Sequence, residues 1–516
     1  MSAVTTTNPT TADVFASAGE KAAEMSEYLA SKEALRCRHE DVEEYAEREG
    51  REWTRRMLQG HYDLRGAVER IVPVRGRDGV LRTFRRPSSR PMASIVGLLD
   101  IPRIAYQARG GEGLHPMDAA LNLPCELYSH VVRCAVAERA ACDSYEEAAT
   151  AISERTGVSI GKRQVEQMAA RAAQDFDDFY ALREVVEEAT GDVLVLTFDG
   201  KGVPMRREDL RPATRAAAEA TLRRLRTRLT KGEKHHRKRM AQVAAIYTVT
   251  PHVRTVDDVL ADLRPVHDVE RERRRPRPRD KRVWASITKT PKAVIRDAFE
   301  DARRRDPSFR RTWVALVDGN RDQLRLVKKA ARKLGVTVTI VVDLIHVIEY
   351  LWKAAYAFHA DGSKDAEAWV QQRLMWLLQG EAVKVSNNLL RNARLAKLEG
   401  AALKPVKTCL RYLRGVREHI GYDRALAAGL PIATGVIEGA CRYLVKDRME
   451  RTGARWSLVG AEAVLRLRAL RTSGDFDDYW AFHLEREHQR NHLRSYADGQ
   501  PPSPLPAIKP RLRRVK

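Results

Sequence analysis

The chain has 516 residues, 43% of them hydrophobic; that is longer than a single core usually organises and too apolar for a mainly disordered chain. Its 92 Lys and Arg against 69 Asp and Glu leave a net charge of +23. An excess of permanently charged, fork-shaped arginine points to a polyanionic partner. Six cysteines without a C-x-x-C pair argue against a zinc ribbon, a thioredoxin-like motif and a disulfide scaffold. The start, MSAVTTTNPTTADVF, has neither a charged nor an apolar leader region, and no apolar run reaches membrane-spanning length. The expectation is a cytoplasmic, nucleoid-associated protein with no membrane partner.

Residues 20–72 read as helix, with apolar positions near 3.6 spacing and no proline among them. Residues 92–107 read as a strand pair broken at Asp100 and Pro102. Residues 1–125 are taken as an N-terminal domain of undisclosed function; Cys37 and His39 lack the second pair that a metal site needs. Residues 126–185 are helical. Within them, Tyr145–Arg155, a Thr-Gly-Val turn and a second helix capped by Ser159 give helix-turn-helix spacing. Lys162, Arg163 and Gln164 then fall where groove-reading side chains sit. An ordinary helix pair has the same pattern.

From 190 the pattern changes. The apolar run Val193–Phe198 marks a buried strand, with further strands at 241–249, 283–288, 312–317 and 336–342 and helices at 291–304, 320–334 and 344–358. Three strands before the first helical crossover suit an antiparallel meander, and the later alternation suits parallel additions. This is the order of a ribonuclease H-like α/β fold with a mixed five-stranded sheet. Residues 190–358 and 431–475 are assigned to it, 359–430 to a helical insertion, and 476–516 to a basic C-terminal tail. Residues 206–240 carry thirteen Lys/Arg against four Asp/Glu. Arg223, Arg224, Arg226, Lys234, Arg237, Lys238 and Arg239 are therefore expected to contact phosphates. A second basic run, 271–282, is broken by proline and reads as a loop.

Asp199 ends the first of these strands and Asp318 the fourth, each followed by glycine. An acid at the tip of a buried strand is costly in a core and sensible at a mouth. Two such tips and a third carboxylate, Glu438 at the start of the last helix, make a set suited to two Mg2+ or Mn2+ ions and in-line phosphoryl transfer. Asp343, after the fifth strand, is an alternative second acid. His346 lies either near the bound phosphate or hydrogen-bonded beneath the sheet. Arg442 and Lys446 follow Glu438 at four-residue steps, on one face of an α-helix, where they either hold a DNA strand or form a solvated face. Arg455 and Trp456 offer a guanidinium and a ring to a displaced base, although Trp456 also suits core packing.

The segment 431–470, PIATGVIEGACRYLVKDRMERTGARWSLVGAEAVLRLRAL, resembles the C-terminal signature of ISKra-type insertion-sequence transposases. The resemblance extends to FDGKGV (198–203), LTKGEKHHRKRMAQVAAIYTVTP (229–251), VDGN (317–320), LDIPRIAY and LHPMDAALNLP. It implies a DDE transposase that binds element terminal repeats and performs Mg2+-dependent strand cleavage and transfer, with Asp199, Asp318 and Glu438 as the triad. Double-stranded DNA, both element ends and target, and a homo-oligomer in the DNA complex would be its partners. Related Mutator-like enzymes carry C-x-x-H after the fifth strand, where this chain has Asp343-Leu-Ile-His346. Two rivals remain: a RuvC-like nuclease of a mobile element, whose acids run in another chain order, and a catalytically idle DNA-binding regulator.

Overall fold

The computed structural model describes residues 11–185, 191–220, 237–263, 276–433, 435–451 and 453–506. The chain divides into two compact units, Met1–Ala181 with Phe476–Lys516, and Leu182–Asp475. Among the described residues no helix is long and apolar enough to cross a membrane.

In the first unit the helical stretch expected at 20–72 is two helices, Thr11–Leu29 and His39–Ala67. They approach closely at Gly60, where a Cβ would lie 2.8 Å from the Phe15 ring. The strand pair is a longer hairpin, β1 (Phe84–Ser94) and β2 (Gly97–Gln107), turning at 95–96 rather than at Asp100. Pro102 stays inside β2 opposite Ser89, because a two-stranded ribbon leaves each strand an open edge that needs no N–H.

Helix Tyr145–Thr156 has a capping box from Ser144 and Glu147 and ends at Gly157 in the left-handed region, φ +69°. The next helix, Lys162–Ala172, starts three residues later than expected. Its N-terminal residue is capped not by Ser159 but by Gln164, whose Oε1 accepts the Gly161 N–H at 2.7 Å.

The segment from 476, expected as a tail, instead contains helix Phe476–Asn491, which buries Tyr479, His483 and Glu487. Its Tyr479 hydroxyl donates to the Ala172 carbonyl, so the C-terminal segment completes this unit. The reason lies in its apolar and paired-charge face, which a count of basic residues does not register.

The second unit is α/β. Strands β3 (Val193–Pro204), β4 (Lys238–Val249), β5 (Arg279–Ser286), β6 (Thr312–Val317) and β7 (Val338–Val342) form one mixed sheet in the order β5–β4–β3–β6–β7. β3 pairs antiparallel with β4 and parallel with β6, and β6 pairs parallel with β7. Central β3 is buried on both faces over its apolar run, as strands covered on both sides are. The strand does not stop at Asp199; it continues to Pro204 against β4. Part of the second basic run is also strand, since β5 begins at Arg279. Helices Pro291–Arg305, Arg321–Leu334 and Leu344–Ala355 follow β5, β6 and β7. The 359–430 region is helical, with Lys364–Leu378, Ala382–Leu395, Gly400–Gly415 and Tyr422–Ala427.

Candidate active site

Register sets the site. Thr197 pairs with Leu316 in the parallel β3–β6 ladder, and Val317 pairs with Val342 in β6–β7. Carrying each ladder forward by one or two residues brings Asp199, Asp318 and Asp343 abreast at the same end of three neighbouring strands. Chains leave parallel strands at this end, which is where α/β sheets present functional groups.

Each acid is held by local backbone. Asp199 Oδ1 accepts the Gly200 N–H at 2.6 Å, and its Oδ2 accepts the Cys441 thiol at 3.1 Å. Asp318 Oδ1 accepts the Asn320 N–H at 2.8 Å, while its carbonyl accepts the Tyr412 hydroxyl at 2.8 Å. Gly319 must be glycine: its φ is +83°, and a Cβ there would lie 2.8 Å from Val416. Asp343, 4% exposed, caps helix Leu344–Ala355 by accepting the Ile345 N–H at 2.8 Å. His346 lies one turn along, with Nδ1 buried and without a hydrogen-bond partner among the described residues.

Glu438 comes from helix Gly435–Ala440. Ligand atoms of Asp343, His346 and Glu438 all lie within 4.8 Å of one another. Sequence reading placed Glu438 in the acid set but treated Asp343 and His346 as accessory. The structure brings these three within shared ligand reach, with Asp199 and Asp318 beside them. The signal that pointed to them was the D-x-x-H spacing. Cys441 was missed altogether, because a lone cysteine carries no pattern.

The electrostatics agree with crowded carboxylates. Burial raises the Asp318 carboxyl above its ordinary range and the Asp199 charge adds to it, against opposing effects of the Asn320 N–H and His346. Burial likewise raises Glu438, with Asp343, Glu349 and Asp199 adding and His346 opposing. Burial pushes the Cys441 thiol up, and Asp199 pushes it further, so the thiol is a neutral donor to that carboxylate. Two cavities reach the acids. One of about 360 Å3 is lined by Asp199, Asp318, Gln242 and Gln323; another, of about 450 Å3, is lined by Glu438, Leu344 and Ile345. A set of carboxylates with one orphaned imidazole fits a divalent cation: the oxygens suit Mg2+ or Mn2+, and the nitrogen widens the range to softer ions.

The expected DNA contacts fall into three groups. Arg223, Arg224, Arg226 and Lys234 lie outside the described residues. Arg163, Arg237, Arg442, Lys446 and Arg455 are exposed; Arg442 and Lys446 belong to a π-helical turn, Cys441–Lys446, so α-helical four-residue spacing does not carry through them. The remainder have structural partners. Lys162 lies 3.7 Å from Glu146 and Lys238 2.5 Å from Glu450. Gln164 is the cap described above. Arg239 donates to the Ile287 and Asp209 carbonyls.

Trp456 is a correction. It is 6% exposed, its Nε1 donates to the Met449 carbonyl at 3.0 Å, and the Arg448 guanidinium covers its ring at 4.6 Å. Packing and cation–π contact occupy the ring, which leaves it unsuited to stack a base.

No protein-family model matches this chain, and no curated protein matches it.

Proposed function

We propose that the chain is a DNA transposase of the DDE type, with a ribonuclease H-like catalytic unit and a helix-turn-helix in its first unit. The row of Asp199, Asp318 and Asp343 across β3, β6 and β7, with Glu438 reaching Asp343 and His346, carries this reading. A carboxylate row with this little internal counter-charge is suited to holding cations that bring a phosphodiester with them. The strand order, the net charge of +23 and the sequence resemblance support the same reading.

When bound, a pair of Mg2+ or Mn2+ ions supplies the charge that activates a hydroxyl nucleophile and neutralises the departing oxygen. Asp199, Asp318 and Glu438 would hold these ions, with Asp343 and His346 as further ligands. The residues around them orient the set. Gly200 and Asn320 N–H groups fix Asp199 and Asp318, the Cys441 thiol turns the second Asp199 oxygen, and Tyr412 anchors the Asp318 backbone. Preorganised ligands of this kind need no rearrangement when charge develops.

The test is metal-dependent cleavage of DNA carrying the element's terminal repeats. Asp199→Asn, Asp318→Asn and Glu438→Gln are each expected to slow single-turnover cleavage by at least about two to three orders of magnitude. Repeat binding should change little. If Asp318→Asn cleaves normally while Asp343→Asn does not, the second acid is Asp343. Full cleavage by all four variants refutes the proposal.

A further inference from the structure

Some exposed cations on the helices of the second unit sit beside acids: Arg303 on Glu300, Lys353 on Glu349, Lys384 on Glu381, and Arg325 on Asp322. Helix Gly400–Gly415 carries four that have no such neighbour among the described residues. Its sequence, GAALKPVKTCLRYLRG, contains no acid. Its buried face is Val406, Cys409, Leu410 and Leu413, while Lys404, Lys407, Arg411 and Arg414 are exposed. Spacings of three, four and three residues put the four cations on one face. None of them forms an ion pair among the described residues. At 1.5 Å per residue the row spans about 15 Å, the length of about four nucleotides of one strand.

The row ends beside the acids. Arg411 and Thr408 line a cavity of about 200 Å3 together with Arg321, Tyr350, Tyr412 and Gly319. Tyr412 is the residue whose hydroxyl holds the Asp318 carbonyl. The Arg321 guanidinium lies over Gly415, where an added Cβ would be 3.8 Å from it. The cavity is small for a stacked base, and its rings are already engaged. Tyr350 stacks on Tyr412 with centroids 3.9 Å apart, and Lys353 Nζ lies 5.1 Å from the Tyr350 centroid. The Thr408 hydroxyl already donates to the Lys404 carbonyl at 2.8 Å; the remaining groups, two guanidinia without an acid partner among the described residues, match the oxygens of a phosphate.

We propose that the Lys404–Lys407–Arg411–Arg414 face is a track for successive phosphates of one DNA strand, and that Arg321 and Arg411 hold one phosphate beside Asp318. The proposal rests on the DNA-processing reading above and adds to it a second-unit surface that fixes the strand.

The experiment measures binding of the full chain to fluorescently labelled DNA across a salt series in EDTA, so that cleavage plays no part. Each phosphate-contacting cation contributes about one to the slope of log K against log salt. The quadruple variant Lys404→Gln, Lys407→Gln, Arg411→Gln, Arg414→Gln should therefore flatten the slope by about three to four. The control pair Arg296→Gln and Arg303→Gln, exposed cations with acid neighbours, should leave it unchanged. If the quadruple variant melts early, the single variants Lys407→Gln and Arg411→Gln carry the test, each flattening the slope by about one. Arg321→Gln should act with Arg411→Gln and give less than an additive loss. An unchanged slope in the row variants overturns the track while leaving the transposase reading intact. Failure of the unsubstituted chain to bind DNA overturns both. Arg411-dependent binding of inorganic pyrophosphate, with DNA slopes unaltered, would make the cavity a site for a free anion and overturn the track.

Discussion

Two buried clusters of charge, one in each unit, respond to burial in opposite ways. In the first unit Arg133, fully buried, donates through Nη2 to Glu487 at 2.9 Å, and Asp175 accepts from His483 at 2.7 Å and from Arg490 at 3.0 Å. Burial pushes these carboxyls up, but their cationic donors more than reverse it. Glu487 ends below its ordinary range, and Asp175 is held at about 2. In the second unit the same burial acts on Asp318 and Glu438, where the close neighbours are mainly other acids, and both end raised. The first cluster is complete within the fold. The second has little counter-charge among the described residues, as a centre that takes its cations from solution would.

Breaking one member of each cluster gives the largest contrast. Glu487→Gln strands a buried guanidinium and should destabilise the first unit by about 3–5 kcal/mol. Asp318→Asn removes a repelling charge and should leave metal-free stability equal or higher, read by denaturant unfolding. Should Asp318→Asn cost as much as Glu487→Gln, the acid row has an internal counterion and the contrast fails.

Adding the missing charge is the next test. Mg2+ or Mn2+ at about a hundred times its dissociation constant should stabilise the second unit by about 2.7 kcal/mol. The gain should disappear in an Asp343→Asn, Glu438→Gln double variant. The first unit should not respond.

The clusters should also part on a pH axis. Asp175 is depressed from 3.8 to about 2, so its contribution is complete above the unfolded value. It is lost as pH falls from about 4 toward 2. Asp318 and Glu438 are raised, so the metal-free second unit loses stability as pH climbs past the ordinary carboxylate range. Unit-specific probes in a pH series of melts would show the opposite slopes, and parallel slopes would contradict them.

The smallest effect concerns the thiol on Asp199. One neutral hydrogen bond contributes about 0.5–1.5 kcal/mol, so Cys441→Ala should slow cleavage up to about tenfold. Cys441→Ser, which keeps a donor, should restore most of the rate. Equal rates for the two variants would reduce the thiol to packing.

Much of the second unit was legible because local signals and tertiary role coincide there. Val193–Phe198 can only be a buried strand, Asn320 and Gly319 punctuate the exit from β6, and helix Arg321–Leu334 fell within a residue of its expected start. Asp199, Asp318 and Glu438 were visible as acids next to glycine, although Asp199 proved to lie inside β3 rather than at its end. The first unit was less legible. The centre of its hairpin turn is Ile95-Val96, β-branched residues that read as strand although Ser94 and Gly97 flank them, and Pro102, a strand breaker by composition, sits in an edge that tolerates it. The C-terminal helix looked like a basic tail because its buried face is built from residues such as His483 and Glu487, which read as solvated until their partners Asp175 and Arg133 are known.

The sequence by itself determined the strand and helix order of the second unit, the positive charge and the types of residue available for chemistry, since these follow from periodicity and composition. Tertiary structure alone decided which residues meet. Parallel registers place Asp199, Asp318 and Asp343 abreast. The turn from 435 to 446 sets Glu438 within reach of His346 and the Cys441 thiol on Asp199. Packing turned Trp456 inward while leaving Lys404, Lys407, Arg411 and Arg414 exposed without acid partners among the described residues. Those outcomes depend on contacts between residues tens to hundreds of positions apart, and no local pattern encodes such contacts.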